Sequence, residues 1–109
     1  MAKLHSRIRI LGKDYEVSTK TRKELPNEYG LCDCETQVIH VRTDVCSESV
    51  ADTVLHECLH AIDFTCYLEL SERQVHATAA GLVALFSDNP WLLDFIKSSV
   101  KRHRHEASK

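Results

Sequence analysis

Residues 47–67 read SESVADTVLHECLHAIDFTCY, and the spacing of their apolar side chains decides the class of fold. Val50, Val54, Cys58 and Ile62 recur every fourth residue, with Leu55 and Leu59 beside them. A period near 3.6 gathers such residues on one helical stripe. The segment therefore reads as a helix that buries this stripe and runs to about Tyr67, with Ser47 as its N-cap.

The middle of that helix is His56-Glu57-Cys58-Leu59-His60. Residues four apart sit one turn above each other, so both imidazoles can reach the same point in space. Neutral imidazole is a good zinc ligand. Glu57 is one residue on, about 100° round the helix, which keeps it off the metal and within reach of a water there. Zinc lowers the pKa of such a water to about 7, and a glutamate so placed takes the proton during attack on a carbonyl. Five residues of this pattern also arise by chance, so the setting matters. Cys58 and Leu59 are uncharged, as are the flanking Thr53, Val54, Ala61 and Ile62. Surface histidines are not normally embedded among Val54, Leu55, Leu59 and Ile62.

Towards the C-terminus, Ser71-Glu72-Arg73-Gln74 is a capping-box pattern that opens a second helix with the stripe Val75, Ala79, Leu82 and Phe86. Gly81 weakens that helix and lets another backbone approach. Ser87-Asp88-Asn89 stops it. Pro90, with Asn89 as cap, then opens a third amphipathic helix bearing Trp91, Leu92, Phe95 and Ile96. After Val100 the tail KRHRHEASK is expected to fray. A catalytic zinc needs a third protein ligand, and Glu69, Glu72 and His76 are the downstream candidates. A helix hairpin turning near residues 68–70 brings the first turn of the second helix, and Glu72 with it, back towards the first. His76 lies one turn further on the same face and can ligate or hydrogen-bond the reacting carbonyl. The plainer account of Glu72 is that acids favour helix N-termini. Asp52 and Asp63 are placed to accept the distal imidazole protons, or to face solvent.

Towards the N-terminus, Arg7 to Leu11 alternates basic and apolar residues and reads as a half-buried strand. Gly12-Lys13-Asp14 forms a turn, and Tyr15 to Ser18 returns as a second strand. Thr19 to Asn27 is polar and reads as a loop or short helix. Val38, Ile39 and Val41 mark a strand over residues 36–42, with residues 31–34 as hairpin partner. His40 within it is a surface or hydrogen-bonded histidine, or a substrate contact. Strands first and helices after give an α+β class: a small antiparallel sheet of three or four strands packed against about three helices.

The chain has 109 residues, enough for one domain. A net charge of −2 gives no global case for nucleic acid or membrane. Lys97, Lys101, Arg102 and Arg104 read as a solvated charge run, which makes nucleic acid an unexpected partner. No apolar run approaches the ~20 residues of a membrane span. With no apolar signal core at the N-terminus the chain reads as cytoplasmic. The cysteines number five, an odd count that disfavours a disulfide framework. Cys32 and Cys34 hint at a structural metal site, but buried, inert thiols fit better.

TVLHECLHAI, residues 53–62, resembles the extended zinc-metallopeptidase pattern of the zincins. ERQVHATAAGLV, residues 72–83, looks like the second conserved helix of the ImmA/IrrE-like small metallopeptidases. There a glutamate opens a helix rich in small residues. The block from Gly30 to Arg42, the HExxH helix and LSERQVHATAAGLVALFSDNP together are similar to short phage and prophage proteins of this minimal gluzincin type. The resemblance covers about residues 28–90. It implies a zincin-like core, one zinc per chain held by His56, His60 and Glu72, Glu57 as catalytic base, and a peptide or protein substrate. It also implies that the strand from Thr36 to Arg42 is the sheet edge on which an extended peptide docks. At 109 residues the chain reads as shorter than the family and is expected to carry no partner or DNA-binding domain. Tyr29, Tyr67 and His76 are the candidate oxyanion donors. The competing reading is a non-catalytic zinc module that stabilises the core or a partner interface.

Overall fold

A computed structural model describes residues 3–107, with side chains placed through Val100. Strands β1 (Arg7–Ile10), β2 (Lys13–Lys20), β3 (Gly30–Asp33) and β4 (Val38–Arg42) precede helices α1 (Ser47–Cys66), α2 (Glu72–Asp88) and α3 (Pro90–Ala107). This is the expected α+β architecture of a four-stranded sheet and three helices.

The β1–β2 hairpin turns on Leu11 (φ 49°) and Gly12 (φ 83°). Two positive φ values match the twist of the flanking strands. The turn therefore closes on Leu11 and Gly12 rather than on residues 12–14, and Lys13 and Asp14 already pair in β2 with Ile10 and Arg9. The β3–β4 hairpin forms as expected, with Asp33 opposite Val38 and the Asp33 carboxylate accepting the Thr36 N–H at 3.1 Å.

The sheet order is β1-β2-β4-β3. β2 and β4 run parallel, with Val17 beside Ile39 and Thr19 beside Val41, so the sheet is mixed where an antiparallel one was expected. The chain crosses over through residues 21–29, and the β3–β4 hairpin then inserts β4 against β2. β4 is consequently an interior strand, and β3 is the edge beside it. The expectation that residues 36–42 form the docking edge is thereby corrected. Ile39 and Val41 are fully buried, as suits a strand paired on both sides.

Ile10, Tyr15, Val17, Ile39 and Val41 form the sheet half of the core. The α1 stripe of Val50, Val54, Cys58 and Ile62 packs on it around the fully buried Ala61. The residue preceding α1 is Cys46, not Ser47, and its side chain makes no cap hydrogen bond. At the other end Tyr67 adopts the left-handed conformation, φ 54°, which stops the helix. Asp63 then fastens the connector. Its carbonyl accepts the Leu68 N–H at 3.3 Å and its carboxylate the Leu70 N–H at 3.2 Å. The capping box of α2 is complete: Ser71 Oγ accepts the Gln74 N–H at 3.1 Å, and Gln74 Oε1 accepts the Ser71 N–H at 2.8 Å. Cap and tether together fix where the first turn of α2, and hence Glu72, stands against α1.

α3 packs on α2 alone among the described elements. Its backbone continues past Val100 to Ala107, through most of the tail expected to fray. The side chains from Lys101 onward, basic run included, lie outside the described residues. No helix is long and apolar enough to cross a membrane among the described residues. Gly81 admits no neighbouring backbone: a Cβ built there meets nothing within 4 Å. Gly81→Ala should therefore gain about 1 kcal/mol from helix propensity alone, read as a higher denaturant midpoint at unchanged slope.

Candidate metal centre

α1 presents His56 and His60 from adjacent turns, and α2 returns Glu72 opposite them. His56 Nε2 lies 3.2 Å from His60 Nε2. The Glu72 carboxylate reaches His56 Nε2 at 2.6 Å and His60 Nε2 at 3.1 Å. These three residues form one group able to hold a metal ion. Two zinc bonds of about 2.0–2.1 Å at a tetrahedral angle separate their donors by about 3.3 Å. The two contacts of His60 match that within a few tenths of an ångström. The His56–Glu72 pair is closer, at a hydrogen-bonding distance. Two imidazole nitrogens and a carboxylate suit a divalent ion of borderline hardness. Donor set and spacing therefore fit.

Of the three downstream candidates, the fold brings Glu72 into this group. Glu69 sits in the connector at φ 57° and does not join the group. His76 lines the cleft with its ring centroid 6.2 Å from that of His56. The Glu72 side chain is 71% exposed, so its position depends on the helix start rather than on packing. Desolvation works to raise its pKa, and the hydrogen bonds from His56 and His60 outweigh that and hold it below the ordinary carboxylate range.

Glu57 is 5% exposed and lines the same cleft, a hollow of about 750 Å³ between α1 and β3. Burial, reinforced by the charges of Glu72 and Glu28, pushes its pKa up to about 7. A cation on the triad would pull it down again. In the metal-free protein the folded state thus keeps a proton that the unfolded chain releases near 4.5. Stability should fall as pH rises from 4.5 to 7, by about 3 kcal/mol at most. Glu57→Gln should flatten that slope in denaturation midpoints of chelator-treated protein.

Gly30 is a residue whose part the sequence does not reveal. A Cβ at Gly30 would stand 2.5 Å from Thr53 Cγ2 and 3.0 Å from Glu57 Oε2. The bare backbone lets β3 close against α1 at the buried carboxylate. Gly30→Ala should cost about 1–3 kcal/mol through overpacking. Removing the Thr53 methyl in Gly30→Ala/Thr53→Ser should recover part of that in the same denaturation assay.

The other expectations divide. Tyr29 and His76 line the cleft; Tyr67, at the end of α1, does not. His40 lies on β4 outside the cleft, with its Nδ1 buried and unpartnered. Asp52 and Asp63 line the cleft, but neither hydrogen-bonds an imidazole among the described residues, and Asp63 holds the connector instead. Cys32 Sγ and Cys34 Sγ lie 3.4 Å apart but join no further donors in a metal-holding group among the described residues. Burial raises the Cys32 thiol strongly and Cys58 to about 11, as inert thiols require. Comparison with protein-family models, with curated proteins and with solved structures gives no match to this chain.

Proposed function

We propose that this chain is a zinc-dependent metallopeptidase of the minimal gluzincin type. The convergence of His56, His60 and Glu72 beside a buried, cleft-facing Glu57 carries the reading. A zinc ion held there would supply a Lewis acid that acidifies water and polarises a carbonyl.

The chain's own residues account for the rest. Three donors, not four, converge among the described residues, the ligand count of catalytic rather than structural sites. This favours hydrolysis over a zinc module that only stabilises the fold. Two histidines and a carboxylate also suit iron(II); Glu57 is the feature that favours hydrolysis. Its carboxylate takes the proton of the attacking water and returns it to the leaving amine. β3 excludes solvent from one side of Glu57, and Gly30 permits that approach. His76 and Tyr29, both on the cleft wall, are placed to hydrogen-bond the substrate carbonyl. Peptides docked along the β3 edge would extend the sheet by one strand.

The test is peptide-library cleavage by zinc-loaded protein beside zinc-loaded Glu57→Gln. Cleavage by the parent alone supports the reading. No cleavage by either, with metal bound, overturns it.

A further inference from the structure

Cys32 and Cys34 have no part in the metal centre, yet the fold brings them together. Cys32 stands in β3 and packs against the core. Cys34 follows the strand, and its Sγ lies 3.9 Å from the His60 carbonyl oxygen, placed to donate to it. Both side chains thus turn towards α1, and the two sulfurs are 3.4 Å apart. Both residues are half-buried on the cleft wall, within reach of a small molecule in the hollow. No third donor joins them in a metal-holding group among the described residues. The chemistry left to two touching thiols is oxidation to a disulfide. An S–S bond is about 2.05 Å long, so the sulfurs need to close by about 1.4 Å, which side-chain rotation supplies.

The contacts order the steps. With its own proton aimed at the His60 carbonyl, Cys34 accepts from Cys32. Burial and that hydrogen bond keep the Cys32 proton in place, so Cys32 does not open the reaction.

We propose that Cys32 and Cys34 are a redox pair that forms a reversible disulfide on the cleft wall, with a low-molecular-weight disulfide as oxidant. The Cys34 sulfur attacks one sulfur of the oxidant. The S–S bond of the oxidant breaks, and the departing thiolate leaves as a thiol with the Cys34 proton. The Cys32 sulfur then attacks the Cys34 sulfur. The mixed S–S bond breaks, and the second thiolate leaves with the Cys32 proton. The two cysteines lose two electrons and two protons, and the oxidant gains both as two thiols. A ring closed over Cys32 to Cys34 restricts the unfolded chain little, so the bond is not a structural staple. Its tightness makes it labile, as regulatory disulfides are. Oxidation removes the S–H that faces the His60 carbonyl, which places the redox state of the pair beside the metal centre. The pair stands independently of the hydrolase reading.

The test incubates the reduced, metal-free full chain with glutathione disulfide, alkylates the remaining thiols and weighs the tryptic fragments. Residues 24–42 form one such fragment, with both sulfurs and no other cysteine. It should be lighter by two hydrogens, carry neither alkyl group nor glutathione, and regain two alkylatable thiols after dithiothreitol. Cys46 and Cys66 lie exposed at opposite ends of the 20-residue α1, about 30 Å apart, and should each hold glutathione instead. In Cys32→Ser, glutathione should stay on Cys34. Alkylation of both Cys32 and Cys34 in the oxidant-treated parent, glutathione retained on either, or a Cys32–Cys58 link overturns the proposal. So does a Cys34 that takes up no glutathione in Cys32→Ser.

Discussion

Glu57→Gln should lower kcat for peptide hydrolysis by about 10²- to 10⁴-fold while the protein keeps its metal. That is the range a positioned general base contributes. The substitution is nearly isosteric, so the close fit beside the bare backbone of Gly30 survives. The amide cannot accept the proton that the carboxylate accepts. Because Glu57 lies 5% exposed on the cleft wall, no water-borne base easily takes its place. Metal content by mass spectrometry of the same preparation separates the two ways activity can be lost. A variant as fast as the parent removes Glu57 from the chemistry. A variant that loses its metal makes Glu57 part of the ligation instead.

Zinc should raise the thermal midpoint by on the order of 15 °C, the largest stability effect expected. Ligand at a thousand times its Kd stabilises by about 4.1 kcal/mol, and 1 kcal/mol moves the midpoint of a domain this size by about 4 °C. Glu72→Ala makes the decisive control. Its side chain is 71% exposed, so losing its contacts with the two histidines should cost the metal-free protein no more than about 1 kcal/mol. The shift on adding zinc should nevertheless shrink to a fraction. An undiminished shift in Glu72→Ala would show that the ion sits elsewhere.

Much of the site was legible because its determinants are local. The fourfold spacing of Val50, Val54, Cys58 and Ile62 names the buried stripe, and His56 and His60 follow from helix geometry alone. The Ser71–Gln74 capping box fixes the start of α2 to the residue, and that start carries Glu72. What was hidden depends on contacts distant in sequence. Nothing local tells that β4 lies parallel to β2, because the crossover through residues 21–29 carries no helix to announce it. The apolar Val38-Ile39-His40-Val41 run was compatible with an interior strand, yet edge or interior is decided by where β3 returns. Gly30 beside a strand start reads as a turn residue; only the packed structure sets it against Glu57. Asp63, expected near an imidazole, is drawn instead to the Leu70 N–H that the left-handed Tyr67 brings within reach.

X-ray absorption at the zinc edge of the reconstituted full chain tests the central claim most directly. One zinc per chain should show only nitrogen and oxygen neighbours at about 2.0–2.1 Å, with the imidazole contribution reduced and affinity lost in His60→Ala. A first shell dominated by sulfur at about 2.3 Å, drawn from Cys32 and Cys34, would contradict it, as would a chain that takes up no zinc.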